Sequence, residues 1–214
     1  WERSLRKANI PVLYSQGFSP HPRISFGLAL PTGFESEAEY VDVYLGEDFF
    51  LDAFDEKIIQ ENINKALPSG MDVLAIGIFP TSGDSLQEAV DACVWEVRVS
   101  GTSFEEFKVI RKKLFSSDSL SIERERKGKI LVEDVRSQVH SMDITEEHID
   151  GVTILTELGT KPRVLRPTDL LKRINSELRT IRVLRKEQLT LQGNQRIEPL
   201  SIELHPAAPV EVLA

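Results

Sequence analysis

The chain has 214 residues, 41% of them hydrophobic, and a formal net charge of −8. That length supports one large domain or two small ones with separate cores, and the acidic total excludes a surface that is basic all over. A single cysteine, Cys93, excludes an intrachain disulfide framework and a cysteine cluster for zinc or iron–sulfur. With no apolar run of about 18 residues and no signal peptide, the expected location is a reducing compartment, cytoplasmic or inside an organelle.

Trp1 to Ala8 reads as a helix with an apolar stripe at Trp1, Leu5 and Ala8. It opens without a capping residue, so the chain reads as part of a longer one that lacks at least a preceding strand. Pro11 closes this helix. The loop Tyr14–Phe26 follows, with Gly17 for a turn and Pro20 and Pro22 to stiffen it. Arg23 to Leu30 reads as a strand, Pro31-Thr32-Gly33 as a turn, and Glu39 to Leu45 as a half-buried strand. Asp55 to Leu67 is a predicted helix stopped by Pro68 and Gly70. Met71 to Phe79 is a predicted strand.

A boundary is expected at Pro80–Asp84, with a short helical turn within Ser85–Asp91. Ala92 to Ser100 alternates as a strand. Ser103 and Glu106 form a capping box for a helix whose apolar stripe is Phe104, Phe107, Ile110 and Leu114. Leu120–Arg126 and Lys129–Val135 pair as a hairpin around Lys127-Gly128. Val139–Ile144 and Gly151–Leu158 read as strands. Thr168, after Pro167, is the expected cap of a helix carrying Leu170, Leu171, Ile174 and Leu178. Thr180–Leu191 reads as the last strand.

The pattern implies an α+β chain of tandem ferredoxin-like (βαββαβ) units, the first lacking its opening strand. The expected domains are residues 1–80 and 92–192, with 193–214 as a tail or linker. The expected core includes Trp1, Leu5, Ile24, Phe26, Val41, Val43, Ile59, Ile63, Trp95, Val97, Phe107, Leu114, Leu171 and Ile174. Cys93 is expected to be a small buried hydrophobe.

The chemistry concentrates in few places. Tyr14, Ser15, Gln16, Gly17, Ser19, His21 and Arg23 form the candidate ligand-binding loop. His21 is the candidate catalytic residue, because its ordinary pKa near 6.5 suits acid–base work; a ligand contact and a purely structural role stay open beside it. No carboxylate in the loop would orient the imidazole. Phe18 is either a base-stacking residue or core. Lys161–Lys186 carries nine basic residues against two acidic ones. Arg163, Arg166, Arg173, Arg182 and Arg185 are therefore candidate nucleic-acid contacts, against the plainer reading of solvated cations. Glu35, Glu37 and Glu39 alternate, which allows an acid pair but favours a solvated strand entry. His140 and His148, among Asp143, Glu146 and Glu147, imitate a metal cluster but read as an exposed polar loop. No metal site is expected.

Tyr14-Ser15-Gln16-Gly17-Phe18-Ser19-Pro20-His21-Pro22-Arg23-Ile24-Ser25-Phe26 is followed by Ala29–Gly33 and Glu35–Asp42. Together these resemble the radical-SAM-linked domain family of unknown function. The resemblance extends over Trp1 to about Val99 and is looser beyond. It implies a radical SAM partner, in cis or in trans, that bears a 4Fe-4S cluster and S-adenosylmethionine. It places neither in this chain, which has no CxxxCxxC. The expected role is a non-catalytic accessory or substrate-binding domain, with RNA as the substrate suggested by fold analogy. An RNA-processing or hydrolytic enzyme using His21 and a protein–protein adaptor are the alternatives. No membrane partner is expected.

Overall fold

The structure, a computed structural model, describes residues 1–46, 55–78, 85–126, 128–192 and 195–201. Their elements run α1 (Glu2–Lys7), β1 (Ile24–Phe26), β2 (Glu35–Ser36), β3 (Val41–Val43), α2 (Glu56–Ala66), α3 (Leu86–Ala89), β4 (Ala92–Ser100), α4 (Phe104–Phe115), β5 (Ser121–Arg126), β6 (Lys129–Asp134), β7 (Val139–His148), β8 (Gly151–Gly159), α5 (Pro167–Ile174), β9 (Arg179–Gln192) and β10 (Gln195–Ile197). The chain is a mixed α+β protein. It divides into two compact units. One takes the described parts of 1–27, 40–87 and the segment from Leu200; the other takes 28–39 and 88–199.

In the first unit α1 packs on α2, with Leu5 and Ile63 buried. Asp55 caps α2 by accepting from the Ile58 N–H at 3.0 Å, as a short carboxylate at that position does. β1 pairs antiparallel with β3, Ile24 opposite Val43. The strands expected at Arg23–Leu30 and Glu39–Leu45 are thus reduced to three residues each. Residues 71–78 form no strand, contrary to expectation. Side chains of α2 supply the reason. Asn64 bonds both the N–H and the C=O of Val73 (2.7 and 3.0 Å), and Gln60 donates to the Val73 and Leu74 carbonyls. Backbone groups that a sheet would need are satisfied by amides instead. Phe26, expected in the core, is 55% exposed, and Trp1, Ile24, Val41, Val43 and Ile59 are half-buried.

The second unit is built on an antiparallel sheet of order β9-β4-β8-β7, with β10 and β2 both added along the outer side of β9. β4 lies between β8 and β9, Val97 opposite Ile154 on one side and Val183 on the other. Cys93, Trp95, Val97 and Val99 alternate onto the face packed with Phe107, Leu114, Leu165, Leu170 and Leu171. The Ser103–Glu106 capping box starts α4 as expected. α5 begins differently: Arg166 is the N-cap and Pro167 the first helical residue, because proline has no N–H to satisfy there. β5 and β6 make a separate two-stranded ribbon. The segment expected to be tail contributes β10, and residues 193–194 and 202–214 lie outside the described residues. So does the expected boundary at 80–84.

Candidate functional site

The loop after α1 is closed by its own backbone. The Ser15 N–H donates to the His21 carbonyl at 2.8 Å, and the His21 N–H donates to Ser15 Oγ at 3.0 Å. Tyr14 bridges Pro22 just below. The stem is held by Leu13 N–H to the Tyr44 carbonyl, Arg23 N–H to the Leu13 carbonyl and Tyr44 N–H to the Arg23 carbonyl. The Arg23 guanidinium stacks on the Tyr44 ring at 4.4 Å, a cation–π contact. Gly17 turns the tip at φ +148. Phe18 stands fully in solvent there, so its reading as core is set aside.

Gln16, Gly17, Ser19, His21 and Arg23 are exposed, Tyr14 is 45% exposed, and Ser15 is half-buried. The structure therefore brings the predicted loop residues together. A hollow of about 440 Å³ beside them is lined by Trp1, Glu2, Arg3, Pro22, Ile24 and Phe26. His21 faces solvent and does not line it. Among the described residues the His21 imidazole has no hydrogen-bonding or charged partner.

In the second unit, Leu28–Glu39 lies along β9. Glu35 pairs with Arg182 at 2.6 Å, Glu37 with Lys186, and Glu39 with Arg185 at 2.5 Å. The three glutamates are more than half exposed, as a solvated strand entry would be, and each also meets a cation beside the β2–β9 pairing. Hydrogen bonding to Arg182 holds the Glu35 carboxyl below its usual range. Phe34 meets Trp95 edge-on at 5.7 Å.

The predicted nucleic-acid set is largely engaged internally. Arg182 pairs with Glu35 and Glu96, Arg163 with Glu133 at 2.9 Å, and buried Arg185 with Glu39. Arg173 donates to the Ser121 carbonyl. Arg166 is exposed and makes no ion pair among the described residues. The histidines expected in a polar loop sit on β7 instead. His140 Nδ1 is 2.8 Å from Glu157, which also takes Arg196 at 2.7 Å, and His148 lies 3.5 Å from Glu146. The sequence gives no local sign of the Glu157–Arg196 contact, since its residues lie on distant strands. Burial pushes the Cys93 thiol up to about 11, so it is inert as a nucleophile. Among the described residues no group of three or more His, Cys, Asp or Glu is placed to hold a metal, and no helix is long and apolar enough to cross a membrane.

Residues 1–167 match the model of a family described as an uncharacterized protein conserved in bacteria (DUF2344). The chain belongs to that family. No curated protein and no solved structure matches it. The DUF2344 match includes the Tyr14–Arg23 loop and Glu35–Glu39, and it ends at the first residue of α5. The cations of β9 that receive the three glutamates lie beyond it.

Proposed function

We propose that this chain is a non-catalytic accessory domain that uses the Tyr14–Arg23 loop to hold a radical SAM protein or that protein's substrate. The observation that carries this reading is a braced loop whose tip presents Phe18 to solvent. A stiff loop loses little conformational entropy on binding, and aromatic anchors dominate the energetics of interfaces. The radical SAM partner rests on the resemblance of Tyr14–Phe26 and Glu35–Asp42, and that partner would supply the 4Fe-4S cluster and S-adenosylmethionine. A ferredoxin-like reading of the second unit is supported by the order of its four long sheet strands β4, β7, β8 and β9, in which the first, β4, lies between the fourth, β9, and the third, β8. The same reading of the first unit has only the β1–β3 pair behind it.

An enzyme built on His21 is less favoured, because among the described residues no carboxylate orients the imidazole. RNA binding is less favoured because four of the five proposed arginines already have internal acceptors. Titration of the full chain with the proposed radical SAM partner tests the proposal. Phe18→Ala is expected to weaken binding at least tenfold, with little dependence on salt. Binding that ignores Phe18 overturns the loop as the site. Binding to an RNA oligonucleotide that falls steeply with salt would favour the nucleic-acid reading instead.

A further inference from the structure

The β5–β6 ribbon has two open edges that differ in chemistry. Arg126 faces Lys129 at the closed end of the ribbon with two residues between them in the chain, which makes these two a hydrogen-bonded pair. Alternation along the ladder then turns the N–H and C=O of Arg124 and Leu131 inward and those of Glu123, Glu125, Ile130 and Val132 toward the edges. On the β5 side the edge-facing residues are Ser121, whose carbonyl takes Arg173, and the acidic Glu123 and Glu125. Like charges directly opposite each other guard such an edge against self-pairing.

The β6 side has no such guard. Ile130 and Val132 are 68% and 64% exposed, and their edge-facing backbone groups have no partner among the described residues. Asp134, next in line, already accepts the N–H groups of Leu120 and Arg136.

We propose that this edge is the contact for a second copy of the chain, paired antiparallel β6 to β6 across a two-fold axis at Leu131. In that register Ile130 of each copy lies opposite Val132 of the other. These are the residues whose N–H and C=O point outward, so both pairs exchange backbone hydrogen bonds. The same register keeps the outward faces on one side and joins the two Ile130–Val132 pairs into a continuous aliphatic strip. Leu131 falls opposite its own copy. Lys129 takes the register position opposite Glu133, whose carboxylate already meets Arg163 at 2.9 Å and Arg124 at 3.6 Å, so no like charges oppose each other across the axis. A contact of this kind is isologous and closes on itself. It is smaller than the standard interface of about 1,600 Å², so the dimer forms in a concentration-dependent way.

The full chain tests this by sedimentation velocity over a hundredfold range of concentration, which is expected to shift the average mass from monomer toward dimer. Val132→Pro removes an edge-facing N–H that the β5–β6 ladder does not use, and is expected to stay monomeric throughout. Residues opposite each other in a non-hydrogen-bonded pair have Cα atoms about 4.5 Å apart, within disulfide reach. In a Cys93→Ser background, Leu131→Cys is therefore expected to cross-link on oxidation and Ile130→Cys to remain unlinked. If Val132→Pro fails to fold, the cross-linking pair decides. A constant monomer mass with no Leu131→Cys cross-link overturns the proposal, as does cross-linking of Ile130→Cys in preference to Leu131→Cys.

Discussion

Arg185 is buried beneath its own counter-ion: its side chain is 1% exposed, and Glu39, which it meets at 2.5 Å, is 53% exposed. The guanidinium also donates to the Leu28 carbonyl at 2.9 Å and lies over the Trp95 ring at 5.5 Å. Arg185 thus ties Leu28–Glu39 to the core of the second unit through charge, hydrogen bonding and packing at once. Arg185→Ala removes all three and leaves a void, so a loss of about 3 kcal/mol is expected. Arg185→Met refills the volume without a charge and is expected to recover part of it. Urea unfolding followed by tryptophan fluorescence measures both.

Three exposed carboxyls are held below their ordinary values. Arg182 does this for Glu35, the backbone and side chain of Ser103 for Glu106, and the N–H groups of Arg136 and Leu120 for Asp134. A lowered folded-state pKa gives stability that is complete above the unfolded value and disappears as pH falls through the folded one. The ordinary values here are 4.5, 4.5 and 3.8. Asp42, raised by burial, contributes with the opposite sign. The urea midpoint is expected to hold from neutral pH to about 5 and to fall below that. Asp134→Asn is expected to flatten the acid limb, because it removes one of the titrations responsible.

What could be read from the sequence was local. The Ser103–Glu106 box, the hairpin pairing of Ser121–Arg126 with Lys129–Asp134 and the alternation of Ala92–Ser100 each involve near neighbours in the chain, and each element forms where its pattern lies. Glu35, Glu37 and Glu39 alternate visibly, but Arg182, Arg185 and Lys186 are about 150 residues away in the chain. No periodicity reports a pairing over that distance. The strand expected at Met71–Phe79 is absent over 71–78 for a related reason. The segment's apolar content suits a strand, yet Asn64 and Gln60 on α2 take the backbone bonds. In the loop, glycine and the two prolines marked a stiff turn. Whether Phe18 faced core or solvent depended on packing that the sequence does not record.

Gly151 opens β8 opposite Ser100 of β4. A Cβ there would sit 1.9 Å from the Val99 carbonyl oxygen and 2.8 Å from the Ser100 Cα. Both obstacles are main chain, held in the central ladder by Val99–Val152 and Ser100–Gly151 pairing, so neither can swing aside. Gly151→Ala is expected to cost about 3 kcal/mol or more, seen as a lower Tm. Gly128→Ala has open space around its Cβ. It is expected to cost only about 1 kcal/mol, from its φ of +74.

The Ser15–His21 closure separates what holds the loop from what the loop offers. Both bonds across it use the His21 main chain, and one uses the Ser15 hydroxyl. His21→Ala keeps both, so stability is expected to change by no more than about 0.5 kcal/mol. Ser15→Ala deletes one bond in a partly exposed setting and is expected to cost about 1 kcal/mol. Gly17→Val has room for its side chain but must hold φ near +148, so the tip is expected to distort while α1 and α2 stay folded. Amide hydrogen exchange distinguishes the three. Protection at Ser15 and His21 is expected to survive in His21→Ala and to fall in Ser15→Ala and Gly17→Val. If the imidazole contacts the partner, His21→Ala weakens binding despite intact protection. Lost protection in His21→Ala would make the ring itself part of the brace, and intact binding would take His21 out of the contact.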